Sequence, residues 1–411
     1  MKQNAYVAGV GMTKFGKHLD RNLKSLASEA INIALKDAGI TKELLQAAYV
    51  GNVGAGVLSG QTCVPGQVIL RDMGIGKIPV INIENACASS ATAFQQACSM
   101  VTLGAYDIVL ACGVEKLFHE DKLKTFSVFS GGIDVEKNDE MLAEVGKKLK
   151  ALGVAVDEGA GTNRSVFIDI YVSWALDHMQ KYGTTREQLA AVSAKNSYHG
   201  SMNPFAQYRD IITVDDVLNS REVVYPLTLP MCSPIGDGAS ATIIVSERMA
   251  KKMGMSRMVK VEASSLSSGY DYAADSGLEC PKVGAEEIYN SVGISPSDLD
   301  VVELHDASAI SEIMYYEYLG LCPQGEGGKL IEEGHTKLGG RIPVNTSGGL
   351  MRKGHPIGAT GTSQITELVW QLRGEAGERQ VEGAKLALAE NGGGFIGTDI
   401  AALALTVLSK A

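Results

Sequence analysis

The chain has 411 residues, 45% apolar and 20% charged, which is an ordinary globular balance but a length that suggests two domains or two similar halves. Lys and Arg number 37 against 47 Asp and Glu, a net charge of −10. That sign argues against a general nucleic-acid binder, whose affinity comes from cationic contacts to phosphate, and leaves room only for a local basic patch. The seven cysteines show no CxxC and no CxxC…HxxxH spacing, so no structural zinc site is indicated and free thiols in a reducing compartment are expected. The N-terminal stretch lacks a secretory apolar core and no 18-residue apolar run follows, so a cytoplasmic chain without a membrane segment is expected.

Forty-seven glycines cluster at the ends of apolar runs, the punctuation of an α/β fold. "NAYVAGVGM" reads as a first strand and "LKSLASEAINIALKDAGI" as an amphipathic helix ending at Gly39. "AAYVGNV" and "IPVINI" are strands, "SSATAFQQACSMVTLG" is a helix and "YDIVLACGVEK" a fourth strand. Strands alternating with helices predict parallel pairing with helices on both faces. From Leu117 to about Pro230 the texture turns polar and helical, which reads as an excursion inserted before "GDGASATIIVSERMA" returns to the strand style. A second half begins near Ser256 with the strand "MVKVEASSLSS" and the helix "KVGAEEIYNSVG". The strand "LDVVELHDA", the helix "AISEIMYYEYLG" and a glycine-rich loop entering a helix, "GHPIGATGTSQITELVWQLRG", follow. The hairpin "KLALAENGGGFIGTDIAALALTVLS" closes the chain. The shared order of the two halves predicts a duplicated α/β unit: residues 1–116 with 231–255, an inserted loop domain over 117–230, and residues 256–411.

Cys87 lies in "ENACASSATA", where an apolar strand gives way to a small-residue helix. Buried packing fits that setting, and so does a nucleophile whose pKa is lowered by a helix N-terminus. A cysteine nucleophile needs a base and donors for an oxyanion. His18, His119, His178, His199 and His335 lie in polar stretches and are expected at the surface or in loops. His305 ends an apolar strand in "VVELHDASA", at the edge where open sheets present catalytic groups, and His355 sits in the glycine-rich "NTSGGLMRKGHPIGATG". "GGGFIG" at 392–397 matches a dinucleotide fingerprint but is followed by a strand rather than a helix, so it is set aside.

"ENACASSATA", "VELHDASA" and "GGLMRKGHPIGATG" together resemble the thiolases over nearly the whole chain, closest to the archaeal and sterol-carrier-type branch with its His-Asp-Ala motif. The resemblance implies a thiolase fold of two similar α/β halves in five layers, α-β-α-β-α, with an inserted loop domain. It implies an acyl-CoA C-acyltransferase that cleaves a 3-oxoacyl-CoA with coenzyme A as cosubstrate, or runs the reverse condensation, without a metal. Cys87 would carry the acyl group, His355 would take its proton, and His305 would hold an enolate or carbonyl oxygen. The backbone of Cys87 and of Gly392 would hold the thioester oxygen. A homodimer or larger assembly and a small zinc-ribbon/OB-fold partner are implied as well, and no nucleic acid or membrane.

Where most thiolases carry a second cysteine as acid/base, this chain has Glu390 and Ala307. Glu390 is the expected substitute, because a carboxyl in an apolar site can titrate near neutrality. Arg352 and Lys353 are expected, by position, to meet CoA phosphates. Met351, Phe395 and the tyrosines of "MYYEYLG" suit a branched or aromatic acyl group such as an aroylsuccinyl-CoA. The alternatives are a thiolase-fold aldolase acting on acyl-CoA side chains, and acetoacetyl-CoA synthesis in a multienzyme complex.

Overall fold

A computed structural model describes residues 2–154, 159–160, 163–273 and 276–411. Its strands are β1 (Lys2–Met12), β2 (Ala47–Gly51), β3 (Val80–Ile83), β4 (Ile108–Glu115), β5 (Glu222–Val224), β6 (Leu227–Thr228), β7 (Gly238–Val245), β8 (Val259–Ser267), β9 (Val301–Glu303), β10 (Leu386–Ile396) and β11 (Asp399–Lys410). Among the described residues, nine of these form one sheet in the order β3-β2-β4-β7-β1-β8-β11-β10-β9, and β5 with β6 forms a separate ribbon. Read outward from the β1–β8 junction, each half runs first strand, last strand, penultimate strand, earlier strand. The two halves are therefore copies of one unit joined edge to edge.

The expectation of parallel pairing holds for β2 with β3 and β4 and for β9 with β10, and is corrected for the rest of the sheet. Only β2–β3, β2–β4 and β9–β10 are parallel; β4–β7, β7–β1, β1–β8, β8–β11 and β11–β10 are antiparallel. The physical reason lies in connectivity: β10 and β11 form a hairpin, and the excursion between β4 and β7 lets the chain return reversed. β1 spans the junction, pairing β8 through Lys2–Val7 and β7 through Tyr6–Met12. Its first residues alternate exposed and buried, and its last six are all buried.

The Ser89–Thr102 and Thr360–Arg373 helices are equivalents in the two halves and form the central layer. Each touches strands from both halves, the second reaching from β4 to β9. Strands that far apart in a sheet spaced about 4.8 Å per strand meet one helix only if the sheet curls around it. The outer faces are covered by the Leu23–Ala38 helix on β1 and β7, and by the Cys280–Val292 helix on β8 and β11. The Leu23–Ala38 helix is closed by a capping box from Asn22 and a left-handed Gly39, as its sequence predicts. The polar excursion is helical: Lys122–Ser130, Asn138–Ala151, Val166–Tyr182 and Arg186–Ser201 all lie between β4 and β7.

The two central helices cross at Gly361. A Cβ there would stand 2.4 Å from Ala91 N and 2.5 Å from Ala91 Cβ, inside van der Waals contact. The Thr360–Arg373 helix is buried on nearly every side despite its polar residues. Gln364 donates to Glu390 O at 2.8 Å, and Arg379 pairs with Glu367 at 2.9 Å, so these buried donors are satisfied, while Gln364 Oε1 is left without a partner among the described residues. Gly361→Ala should overpack this crossing and cost about 1–3 kcal/mol in urea unfolding; wild-type stability would show that the helices can separate freely.

Candidate active site

The strand β3 ends in the turn that carries Cys87, immediately before the Ser89–Thr102 helix. Ala86 in this turn has φ of 47°, a left-handed conformation that costs a residue with a Cβ about 1–2 kcal/mol. Local bonds hold it there. The Ala86 N–H donates to Glu84 Oε1 at 2.7 Å, the Asn85 N–H to Ser89 Oγ at 2.9 Å, and Ser89 Oγ to Ala86 O at 2.6 Å. From the other side, β10 presses on the turn at Gly393, where a Cβ would meet Asn85 O at 2.3 Å.

His355 follows the short helix Gly349–Lys353 and precedes the Thr360–Arg373 helix. Its Nε2 lies 3.3 Å from Cys87 Sγ and its Nδ1 2.8 Å from Thr360 Oγ1. The Thr360 hydroxyl donates to Pro356 O at 3.2 Å, so it accepts from Nδ1–H. That assignment leaves the Nε2 lone pair facing the thiol. His305 stands at the end of β9, its ring edge-on to His355 with centroids 5.1 Å apart. The reactive atoms of Cys87, His305 and His355 all lie within 4.8 Å of one another. His305 Nε2 is buried without a hydrogen-bond partner among the described residues, an acceptor or donor left open to the cavity.

Asp306 and Glu115 brace the loops. Asp306 Oδ1 accepts the Leu350 N–H at 2.7 Å and Oδ2 accepts from Asn196 at 2.9 Å. Gly349 makes room for it, since a Cβ there would meet Asp306 Oδ2 at 2.2 Å. Glu115 accepts N–H groups from Val53 and Gly54 at 3.0 Å and from Gly358 at 3.1 Å, tying the end of β4 to the loop after His355. Burial raises its pKa to about 7, opposed by these backbone donors.

Electrostatically the site is neutral. Burial pushes the Cys87 thiol up to about 12, with the Glu115 and Glu84 carboxylates adding to the rise. Burial lowers the His305 imidazole to about 4 and holds His355 well below the usual histidine range, with His305 and Lys353 adding to the latter. Desolvation outweighs the backbone hydrogen bond that favours the thiolate, so the thiol stands above rather than below its ordinary range.

Glu390 is fully buried at the back of the site. Its Oε2 accepts the His305 N–H at 2.8 Å; its Oε1 has no partner of good geometry, although the Tyr315 hydroxyl lies beside the carboxyl. Burial raises it to about 8, opposed by the His305 N–H, Tyr315 and the Gly392 N–H. The Gly392 N–H therefore faces the Glu390 carboxyl. Arg352 and Lys353, expected at CoA phosphates, are buried and paired instead. Arg352 bonds Asp210 at 2.8 Å and Lys353 lies 3.4 Å from Glu303, and neither borders the cavity.

That cavity, about 280 Å³, opens on Cys87, His305 and His355. A helix of the excursion builds its wall with β10: Phe167 lies tilted against Tyr171 at 6.3 Å, and Tyr171 meets Trp174 at 5.4 Å and Trp174 meets Phe395 of β10 at 5.7 Å edge-on, between ring centroids. Arg221 reaches the cavity, is exposed, and makes no ion pair among the described residues. A second cavity of about 630 Å³ adjoins it across Trp174, Ser311, Tyr315, Phe395 and Ile400. Met351, expected near the acyl group, is core instead. His178 and His199 are buried rather than superficial. His178 bonds Thr184 at 2.6 Å and Glu317 at 3.1 Å, and His199 lies between Asn345 O and the Leu338 N–H, each at 3.0 Å.

Comparison with known proteins agrees with this geometry. Residues 5–225 match the thiolase N-terminal domain and 264–406 the thiolase C-terminal domain-like family. The chain is 39% identical over 397 residues to the acetyl-CoA acetyltransferase of Methanothermobacter thermautotrophicus, covering 95% of this chain and 97% of that one. It is 36% identical over 387 residues to the benzoylsuccinyl-CoA thiolase subunit BbsB of Thauera aromatica, covering 93% and 92%. Human sterol carrier protein 2 is 36% identical over 400 residues, 95% of this chain and 70% of that protein. Among solved structures, human mitochondrial 3-ketoacyl-CoA thiolase in complex with CoA superposes with a TM-score of 0.70 at 18% identity, covering 100% and 98%. A structure titled Ltp2-ChsH2(DUF35) aldolase gives 0.75 at 24%, covering 99% and 97%. The chain belongs to the thiolase family. It is an acyltransferase of the thiolase type.

A neutral thiol–imidazole pair has a signature. The rate of Cys87 alkylation by iodoacetamide should keep rising through pH 9, because the thiol is still protonated there; a plateau below pH 7 would reveal a preformed ion pair. Thr360→Val removes the acceptor that sets the His355 tautomer, and should slow that alkylation about tenfold at fixed pH.

Proposed function

We propose that the chain cleaves a 3-oxoacyl-CoA with coenzyme A, or condenses in reverse, through an acyl thioester on Cys87. The observation that carries this reading is the 3.3 Å approach of His355 Nε2 to Cys87 Sγ beside an unpartnered His305 Nε2. Cys87 Sγ attacks the 3-oxo carbon while its proton passes to His355, so no charged thiolate waits in the buried site. The thioester oxygen is met by the Cys87 and Gly392 N–H groups, the latter shared with Glu390. His305 Nε2 holds the oxygen of the departing enolate. Two sets of donors suit a reaction that places charge on two carbonyl oxygens in turn.

The CoA thiol approaches past the excursion, and Arg221 is the cation that its phosphates meet. The aromatic wall favours an acyl group carrying a ring, of the aroylsuccinyl kind, as in the benzoylsuccinyl-CoA of the Thauera relative's name. A dimer core and a small zinc-ribbon/OB-fold partner complete the reading; a fold neighbour titled as a DUF35 complex and a relative named as a subunit support it. Seven unpaired thiols suit work in the cytoplasm. Among the described residues no helix is long and apolar enough to cross a membrane.

A panel of CoA esters tests this. An aroylsuccinyl-type 3-oxoacyl-CoA should be consumed faster than acetoacetyl-CoA, and only with free CoA present. Cleavage of a 3-hydroxyacyl-CoA without CoA would put the chain among the aldolases instead. Arg221→Ala should raise KM for CoA about tenfold and leave kcat within about twofold, since one charge-assisted contact is worth about 1.5–3 kcal/mol at most.

A further inference from the structure

Proton transfer to the substrate α-carbon needs a group that reaches the cavity, and Glu390 does not border it. Tyr315 does. It projects from the Ala309–Tyr318 helix into the wall shared by both cavities, and its hydroxyl lies beside the Glu390 carboxyl. That hydroxyl stands 2.8 Å from where a Cβ on Gly392 would be, and the next residue, Gly393, packs against the Cys87 turn. A phenol, a bare glycine backbone and the nucleophile's turn therefore follow one another in sequence, with Glu390 Oε1 3.5 Å from the same point on Gly392.

We propose that Tyr315 is the catalytic acid–base that exchanges a proton with the substrate α-carbon, and that Glu390 is the positioning carboxyl that supplies and receives that proton behind it. This rests on the thioester reading above. In thiolysis, the Cys87 S–C bond forms and the C–C bond breaks, its electron pair passing into the enolate of the departing acyl-CoA. The Tyr315 hydroxyl protonates the α-carbon and is reprotonated by the Glu390 carboxylic acid, leaving a carboxylate. Attack by CoA on the acyl group then forms the new S–C bond; the CoA thiol proton returns through Tyr315 to Glu390, and the departing Cys87 sulfur takes its own back from His355. The site ends as it began, with no oxidant or reductant consumed.

Burial supports the direction of this transfer. Glu390, raised to about 8, is mostly protonated at neutral pH and can act as the acid. Tyr315 is raised well above an ordinary phenol by burial and by Glu390, so it carries a proton onward rather than resting as phenolate. The titratable groups felt by this pair are His305, Tyr171, Tyr318 and Cys280. His305 is neutral, and the thiol and both phenols are held protonated by burial. None of them offers an alternative acid near neutrality.

The test pairs two measurements on the intact enzyme. Exchange of acetyl-CoA α-protons for deuterium in D2O, followed by NMR, reads the proton transfer; iodoacetamide alkylation of Cys87 reads the nucleophile alone. Tyr315→Phe should lower exchange and turnover about 100-fold or more while alkylation stays within about twofold. Glu390→Gln should do the same, and the double variant should lose no more than the worse single one, as members of one relay do. Exchange at the wild-type rate in Tyr315→Phe, or losses that multiply in the double variant, would overturn the assignment of Tyr315 alone. Turnover by Cys87→Ala would sink the thioester reading and this proposal with it.

Discussion

The contact of Ala91 with Gly361 is the constraint on which the rest depends. Two equivalent helices, one from each half, approach so closely that a Cβ at Gly361 would stand inside van der Waals contact of Ala91. Each begins just after a turn that bears a reactive side chain, Cys87 on one and His355 on the other. Bringing the helix starts together brings a thiol within 3.3 Å of an imidazole, although 268 residues separate them in the chain. The same rule of missing side chains recurs nearby. Gly113 would place a Cβ 2.3 Å from Gly358 O, and Gly393 would place one 2.3 Å from Asn85 O. The turns that carry the reactive side chains are held by backbones touching backbones.

Close packing also sets the electrostatics. No ionised partner is provided for Cys87 or either histidine, so desolvation decides their protonation, and all three rest neutral. The charged networks lie one layer back. Lys195 pairs with Glu312, Lys353 with Glu303 and Arg379 with Glu367, anchoring the loops, and of these groups Lys353 also disfavours a charged His355. A neutral resting pair suits acyl transfer between thioesters, in which proton and sulfur move together and no bare charge waits in an apolar cavity.

What was legible in the sequence follows the same physics. Cys87, His305 and His355 stood out because each marks a place where an apolar strand or glycine loop meets a helix, and such junctions are local. The hairpin of β10 and β11, the central helices and the helical excursion were legible for the same reason. The direction of β7, β8 and β11 against their non-hairpin neighbours was not, because those antiparallel pairs are joined across the excursion and across the two halves, out of reach of any local period. Arg352 and Lys353 looked like phosphate ligands only because they neighbour His355; their acidic partners, Asp210 and Glu303, lie far off in the chain. His178 and His199 sit in polar helices whose buried faces are set by tertiary contacts. Arg221 carries no motif, and the tyrosines of "MYYEYLG" read in the sequence only as acyl-group lining; the shape of the cavity picks out Arg221 and, among those tyrosines, Tyr315.

The central claim is that Cys87 holds the acyl group between the two carbon–carbon and carbon–sulfur steps. Acid quenching of the enzyme mixed with a 3-oxoacyl-CoA, then peptide-resolved mass spectrometry, measures it directly. The account predicts an acyl adduct on the peptide containing Cys87, absent from Cys87→Ala and discharged when free CoA is added before the quench. Product formation without any adduct on Cys87, under conditions in which an acyl thioester standard survives the quench, would contradict it.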